Sequence, residues 1–248
     1  MKRFLLVAAT AAFAGSAFAQ TLSISLGIRE TGVSGAIGSN GGTTGGIEWV
    51  NKDGLTLTLD GTWQQFTFDL ANDPLTPFAG TSANGVLDGI SGTIEHVRIK
   101  SNGFDGPIQL WMDDITNTIT PPGGAPTDFV FGTFEGYADG TEAVFQEPTF
   151  SGSTSGFLTG PSASVVTNSV AHSGQASDAI SFQFIDTATT NWVRLTTFNT
   201  PNQPNPLIQF DQQSKVSFWM RGNAVPEPAT MAVLGMGALA LLRKRRKV

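Results

Sequence analysis

Thr62-Trp63-Gln64-Gln65-Phe66-Thr67-Phe68-Asp69-Leu70 is the stretch whose reading decides the fold. Phe66, Phe68 and Leu70 alternate with Thr67 and Asp69, the period of two that a strand shows when one face is buried and the other is wet. The alternation recurs on both sides. Upstream, Leu22, Ile24, Leu26 and Ile28 alternate with Ser23, Ser25 and Gly27, and Leu55, Leu57 and Leu59 with Thr56 and Thr58. Downstream, Val97 and Ile99 flank Arg98. Ile180, Phe182 and Phe184, then Val193 and Leu195, then Val216, Phe218 and Met220 keep the same spacing. Gly, Pro, Asn and Asp separate the runs, and no stretch holds a helical period over three turns. This many half-buried strands between residues 20 and 224 predict an all-β fold built as an antiparallel β-sandwich.

Charge is unevenly placed along the chain. Seven of the 14 basic residues lie at its two ends, as Lys2, Arg3 and the five at 243–247, and all 20 acidic residues lie between them. The body is therefore strongly acidic. Such a surface repels nucleic acid and anionic lipid, and suits divalent cations, neutral glycans or a soluble extracellular life. Cysteine is absent, so no disulfide framework holds the fold.

The ends carry addresses. Lys2 and Arg3, the apolar run Phe4 to Phe13 and the small-x-small site Ala17-Phe18-Ala19 predict a helical signal peptide over 1–19, with Gln20 first in the mature chain. At the other end, Val225, Pro226, Glu227 and Pro228 precede an apolar run from Ala229 to Leu242 and the basic block Arg243 to Lys247. Those 14 residues make about 21 Å of helix at about 1.5 Å per residue, less than the roughly 20 residues of a full span. The basic block belongs on the cytoplasmic side. An ordinary single-span anchor is one reading of this short transmembrane helix. A temporary stop for a membrane protease is the other.

The ordered motif, apolar helix and arginine-rich end at 225–248 resemble the PEP-CTERM sorting signal of Gram-negative bacteria. The resemblance implies an exosortase-type membrane protease as partner. It also implies a transient inner-membrane anchor and delivery to the cell surface or extracellular matrix.

The body resembles the jelly rolls of carbohydrate-binding modules, the galactose-binding-like family. Thr62 to Leu70 is similar to one of their strands. Ile108-Gln109-Leu110-Trp111-Met112-Asp113-Asp114-Ile115 is similar to their closing strand, Phe134-Glu135-Gly136 to their opening strand, His172 to Ser177 to an early turn, and Lys215 to Gly222 to a middle strand. The order is inverted relative to that family: a closing half at 20–118 precedes an opening half at 129–224, across a Pro- and Gly-rich linker at 119–128. One circularly permuted jelly roll accounts for this, and so do two half-domains in tandem. The permuted model predicts that the Val216–Arg221 strand pairs antiparallel with the Leu22–Arg29 strand.

The resemblance further implies a structural Ca2+ held by Asp114, Glu135 and Asp139. Of the two adjacent aspartates, Asp114 is expected to point inward, since it shares the parity of Leu110 and Met112. The alternative is that these acids cap turns or sit in solvent. Sugar rings stack on exposed aromatics, and Trp192 with Arg194, on the parity opposite Val193 and Leu195, is the leading candidate for a polysaccharide-binding face, with Trp63 a second. Against this, most aromatics in such a body are expected to fill the core. Catalysis has little support: there is no cysteine, His96 beside Glu95 reads as an exposed strand pair, and the glycine-rich segment 32–46 lacks phosphate-binding spacing. A non-catalytic glycan-binding protein is thus set against a structural or adhesive protein without sugar affinity and, third, a hydrolase.

Overall fold

A computed structural model describes residues 20–30, 45–198, 206–210 and 213–224. The expected signal helix, the Val225–Pro228 motif and the apolar tail lie outside the described residues. Twelve strands are described: β1 (Thr21–Glu30), β2 (Ile47–Thr58), β3 (Asp60–Asp69), β4 (Leu75–Ala79), β5 (Ser91–Ser101), β6 (Ile108–Ile119), β7 (Thr127–Gly132), β8 (Ala163–Thr167), β9 (Ser177–Phe182), β10 (Trp192–Thr196), β11 (Leu207–Gln209) and β12 (Lys215–Ala224).

They form two antiparallel sheets. Sheet A runs β10-β5-β1-β2-β4, with β11 also on β5. Sheet B runs β3-β12-β6-β9-β8, with β7 also on β6. The alternation seen in the sequence becomes the packing between them. Leu22, Ile24, Leu26 and Ile28 of β1 and Val97 and Ile99 of β5 share one buried cluster with Phe66 and Phe68 of β3, Leu110 and Met112 of β6 and Phe218 and Met220 of β12. Phe66 and Phe218 stack at 5.9 Å. Each such side chain contributes about 1.5–3 kcal/mol on leaving water. The architecture is a β-sandwich.

Each sheet draws strands from both sides of segment 119–128: β10 and β11 join the early strands of sheet A, and β3 and β6 join the late strands of sheet B. The segment itself closes a hairpin. β6 and β7 pair antiparallel, with Ile119 opposite Thr127, and Gly124 N–H donates to the Pro121 carbonyl at 2.9 Å. The ends of the body also meet. Leu59 N–H donates to the Gln20 carbonyl at 2.8 Å, and Asn223 lies opposite Asp60.

Three sequence expectations are corrected. The strands at Leu22–Arg29 and Val216–Arg221 do not pair: β1 lies between β2 and β5, and β12 between β3 and β6. Alternation tells which face of a strand is buried but not who lies beside it, and these two strands meet the same core from opposite sheets. Phe134-Glu135-Gly136 is not a strand. The strand there is β7, and Phe134 turns the chain with a φ of 58°. Finally, Asp114 does not point into the core: Asp113 is the buried aspartate of the two, and it lies opposite Trp219 of β12, under the backbone of the His172 turn. β6 bulges where it passes Ser217 and Trp219 of β12, and Asp114 takes a φ of 53°. The extra residue flips the parity, so Leu110 and Met112 are buried before the bulge and Ile115, Asn117 and Ile119 after it.

Candidate functional site

Phenylalanine fills the interior and tryptophan does not. Trp192 precedes buried Val193, Trp219 lies between buried Phe218 and Met220, and Trp111 between buried Leu110 and Met112. Trp63 shares the parity of exposed Gln65 and Thr67. Trp49 lies in register with Gly27, itself opposite His96. All five indoles therefore project from the outer faces, Trp49 and Trp192 on sheet A, Trp63, Trp111 and Trp219 on sheet B.

On sheet A the floor is β1, whose outward residues Ser23, Ser25 and Gly27 are small. Large side chains from the neighbouring strands lean over it. At Gly27 a Cβ would overlap the His96 ring, so only glycine leaves that ring its place. Trp49 stacks on Phe78 of β4 at 4.2 Å, and Trp192 meets both edge-on, at 5.5 Å from Trp49 and 5.7 Å from Phe78. The Arg98 guanidinium lies 4.9 Å from the Trp49 ring and 5.3 Å from Trp192, and that of Arg194 lies 5.4 Å from Phe78. These are cation–π distances.

A polar network locks this cluster. Trp49 Nε1 donates to His96 Nε2 at 2.9 Å. An indole N–H can only donate, so Nε2 carries no proton, and His96 is the neutral Nδ1–H tautomer that donates to Glu95 Oε2. Burial likewise lowers the His96 pKa. Glu95 also receives the Arg194 fork, with Nε at 3.2 Å from Oε2 and Nη2 on Oε1, and Arg29 lies 3.7 Å away. Burial pushes the Glu95 carboxyl up, but His96 and Arg194 outweigh it and hold it down at about 2. The exposed Glu95–His96 pair expected from the sequence is thus a buried, fully engaged one. A bulge between β1 and β5 at Gly27/Ile28 leaves Glu95 without a partner on β1.

Sheet B presents a looser face. Trp63, Arg221 and Trp111 form one transverse row across β3, β12 and β6, with Arg221 at 5.3 Å from the Trp111 ring. His172 stacks on Trp219 at 3.9 Å and meets Trp63 edge-on at 5.5 Å. Its Nδ1 lies 2.7 Å from Asp114 Oδ2, and Ser173 Oγ donates to Asp114 Oδ1 at 2.6 Å. Beneath them, Asp113 accepts the N–H groups of His172, Ser173 and Asp114 at 2.8–3.2 Å. Burial nevertheless dominates and raises its pKa to about 6.

Trp192 and Arg194 stand on one face of sheet A, as their parity implied, whereas Trp63 stands on the opposite side of the sandwich and cannot share a site with them. The three acids assigned to calcium engage different donors. Asp114 holds His172 and Ser173, Glu135 Oε1 accepts Gln175 and Ala176 N–H at 2.7 and 3.0 Å, and Asp139 accepts Asn168 N–H at 2.9 Å. Among the described residues no three His, Asp or Glu side chains group as metal ligands. Sequence reading missed Trp49, Phe78 and Arg98. Their signal was the run of small residues between the apolar positions of β1, which marks a floor that others must cover.

Residues 224–247 match the model of the PEP-CTERM protein-sorting motif. That motif marks an exported chain, transiently held in the membrane and sorted to the surface by an exosortase. It begins at Ala224, the last residue of β12. No curated protein and no solved structure matches the chain.

Proposed function

We propose that the body of this exported protein is a non-catalytic polysaccharide-binding sandwich whose binding face is the outer side of sheet A. The observation that carries the reading is the indole–guanidinium cluster of Trp49, Phe78, Trp192, Arg98 and Arg194 above the small floor of β1. Pyranose rings stack on aromatic faces, and guanidinium groups donate to their oxygens. Both groups are already fixed here by Glu95 and His96, which lowers the ordering cost of binding. The alternating halves read as a permuted jelly roll: the closing and opening halves contribute to both sheets, and the linker joins the adjacent strands β6 and β7.

Trp192→Ala tests the face. Trp192 is half-buried, so truncation costs about 1–3 kcal/mol, below the about 3–5 kcal/mol of an emptied core aromatic site. Retention of the full chain on an affinity gel cast with host matrix polysaccharide should be lost. Retention equal to that of a retained wild type moves the binding face off sheet A, and a wild type that is not retained assigns the protein to the structural or adhesive class without sugar affinity.

A calcium ion is a second proposal, for the corner where Asp114 and Glu135 flank the same turn. The ion would take these oxygens from Ser173 and from the Gln175 and Ala176 N–H groups, and would stabilise the folded state by mass action. A chelator should then lower the melting temperature. Unchanged melting rules the ion out.

A further inference from the structure

We infer that the sheet A face takes an acidic polysaccharide, one whose sugars carry carboxylate groups such as uronates. The inference rests on the proposed glycan-binding reading and names its ligand class.

The body's overall acidity conceals a local reversal. Of its seven basic residues, five are on sheet A strands: Arg29, Lys52, Arg98, Lys100 and Arg194. Arg29 and Arg194 are spent on Glu95. The other three are not spent. Among the described residues, Lys52, Arg98 and Lys100 have no carboxylate within salt-bridge distance, and Asp53 acts on Arg98 only from farther off.

All three surround the indoles. Lys52 Nζ is 5.4 Å from the Trp49 ring. Lys100 is the cross-strand partner of Trp192, and Arg98 that of Arg194. Arg98 is only 7% exposed. Its Nη1 donates to the Lys52 carbonyl at 2.8 Å, while its Nε has no partner. A cation this buried normally has a counter-charge.

Lysine and arginine only donate hydrogen bonds. A neutral sugar face needs acceptors as well as donors, because each hydroxyl does both. Three cations without a carboxylate partner, beside two indoles, instead match a ring that stacks and a carboxylate that receives charge-assisted bonds. Duplex nucleic acid is a weaker match. It presents continuous charge to a body with seven basic against 19 acidic residues, and it offers no isolated sugar face to an indole.

The test is affinity electrophoresis of the full chain in detergent, against polygalacturonate, neutral galactan and duplex DNA. Polygalacturonate should bind at least tenfold more tightly than galactan, and its affinity should fall at least tenfold between 50 and 500 mM NaCl. The Lys52→Ala/Lys100→Ala double variant should lose at least tenfold on polygalacturonate, with its melting temperature as the check on folding. Salt-insensitive binding that does not discriminate against galactan overturns the acidic-ligand inference and leaves the glycan reading standing. Binding to neither polysaccharide overturns both. Tighter binding to DNA than to polygalacturonate overturns the ligand class.

Discussion

The two outer faces of the sandwich carry the same kinds of side chain and use them differently. Sheet A packs its indoles with a buried histidine, a buried glutamate and three arginines until Trp49 is only 8% exposed. Sheet B leaves Trp63, Trp111 and Trp219 all partly open and pairs its histidine with an aspartate near the surface. The cause is the strand that lies beneath each aromatic cluster, β1 in sheet A and β12 in sheet B. β1 offers Ser23, Ser25 and Gly27 outward, so neighbours can close over it. β12 offers Trp219 and Arg221 outward and is itself the ridge. A closed cluster is preorganised, and its parts depend on one another. An open one can lose a member at little cost.

The largest expected difference follows from removing one carboxylate. Glu95→Ala strips the partner from Arg194, Arg29 and His96 at once. Breaking a buried pair by deleting one partner costs about 3–5 kcal/mol, because the remaining charge is stranded. Chemical denaturation of the full chain should show a loss of that size, and glycan retention should fall with it as Arg194 loses its position. A loss below about 1 kcal/mol would mean that the network on sheet A is ornamental, and the contrast between faces would fail.

Acid and base should act on the two faces in opposite directions. Glu95 is held at about 2 in the folded state, below its unfolded value near 4.3. Its contribution is present above that unfolded value and is lost as pH falls towards 2. Asp113, under the sheet B face, is raised to about 6, above an unfolded value near 3.9. The folded state therefore holds the extra proton between these values. Stability from Asp113 is greatest in acid and declines as pH rises from about 4 to 6, by about 2 kcal/mol at most. Asp178, buried in the core with Ser164 Oγ at 2.9 Å from its Oδ2, is raised well above the ordinary carboxylate range by burial and extends the decline to higher pH. Thermal melts across pH 4–8 should show the fall. Asp113→Asn should flatten it between pH 4 and 6 while lowering the melting temperature throughout, since an amide offers one acceptor where three N–H groups converge. Asp178→Asn should lessen the fall from about pH 4 upward and remove what persists above about pH 6. A wild-type melting temperature that climbs from pH 4 to 6 would contradict this sign.

What the sequence disclosed and what it withheld both follow from the strand period. Phe66, Phe68, Phe218 and Met220 were legible as core because unbroken alternation assigns each residue a side. Trp192 and Arg194 were legible as outward for the same reason. Where the backbone breaks the period, the reading breaks with it. The bulge in β6 exchanged Asp113 for Asp114, and the one beside Gly27 turned an apparently exposed Glu95–His96 pair into the hub of the sheet A network. Trp49 was hidden because β2 slips register between Ile24 and Leu26 of β1, where Asn51 takes a φ of 53°. Phe78 lies on a five-residue strand too short to show a pattern. The match at 224–247 was legible throughout, because a sorting signal is read by a protease as sequence and needs no fold around it.

The smallest expected effect sharpens the comparison from the open side. Asp114→Asn removes the negative partner of His172 but keeps a side-chain oxygen that can accept from Ser173 Oγ or from the imidazole. Asparagine also tolerates the left-handed backbone at this position, where φ is 53°, better than most residues. The His172–Asp114 pair is partly solvated, with side chains 26% and 20% exposed, and ion pairs in such settings contribute about 0–1 kcal/mol. Denaturant titration should therefore place Asp114→Asn within about 1 kcal/mol of wild type, at least 2 kcal/mol milder than Glu95→Ala. The gap between the two variants should shrink little in high salt, because the Glu95→Ala loss comes from a stranded buried charge that salt screens poorly. If Asp114→Asn instead proved as damaging as Glu95→Ala, the stack of His172 on Trp219 would have to be as tightly coupled as the sheet A cluster. The openness of the sheet B face would then be only a matter of exposed surface, not of loose energetic coupling.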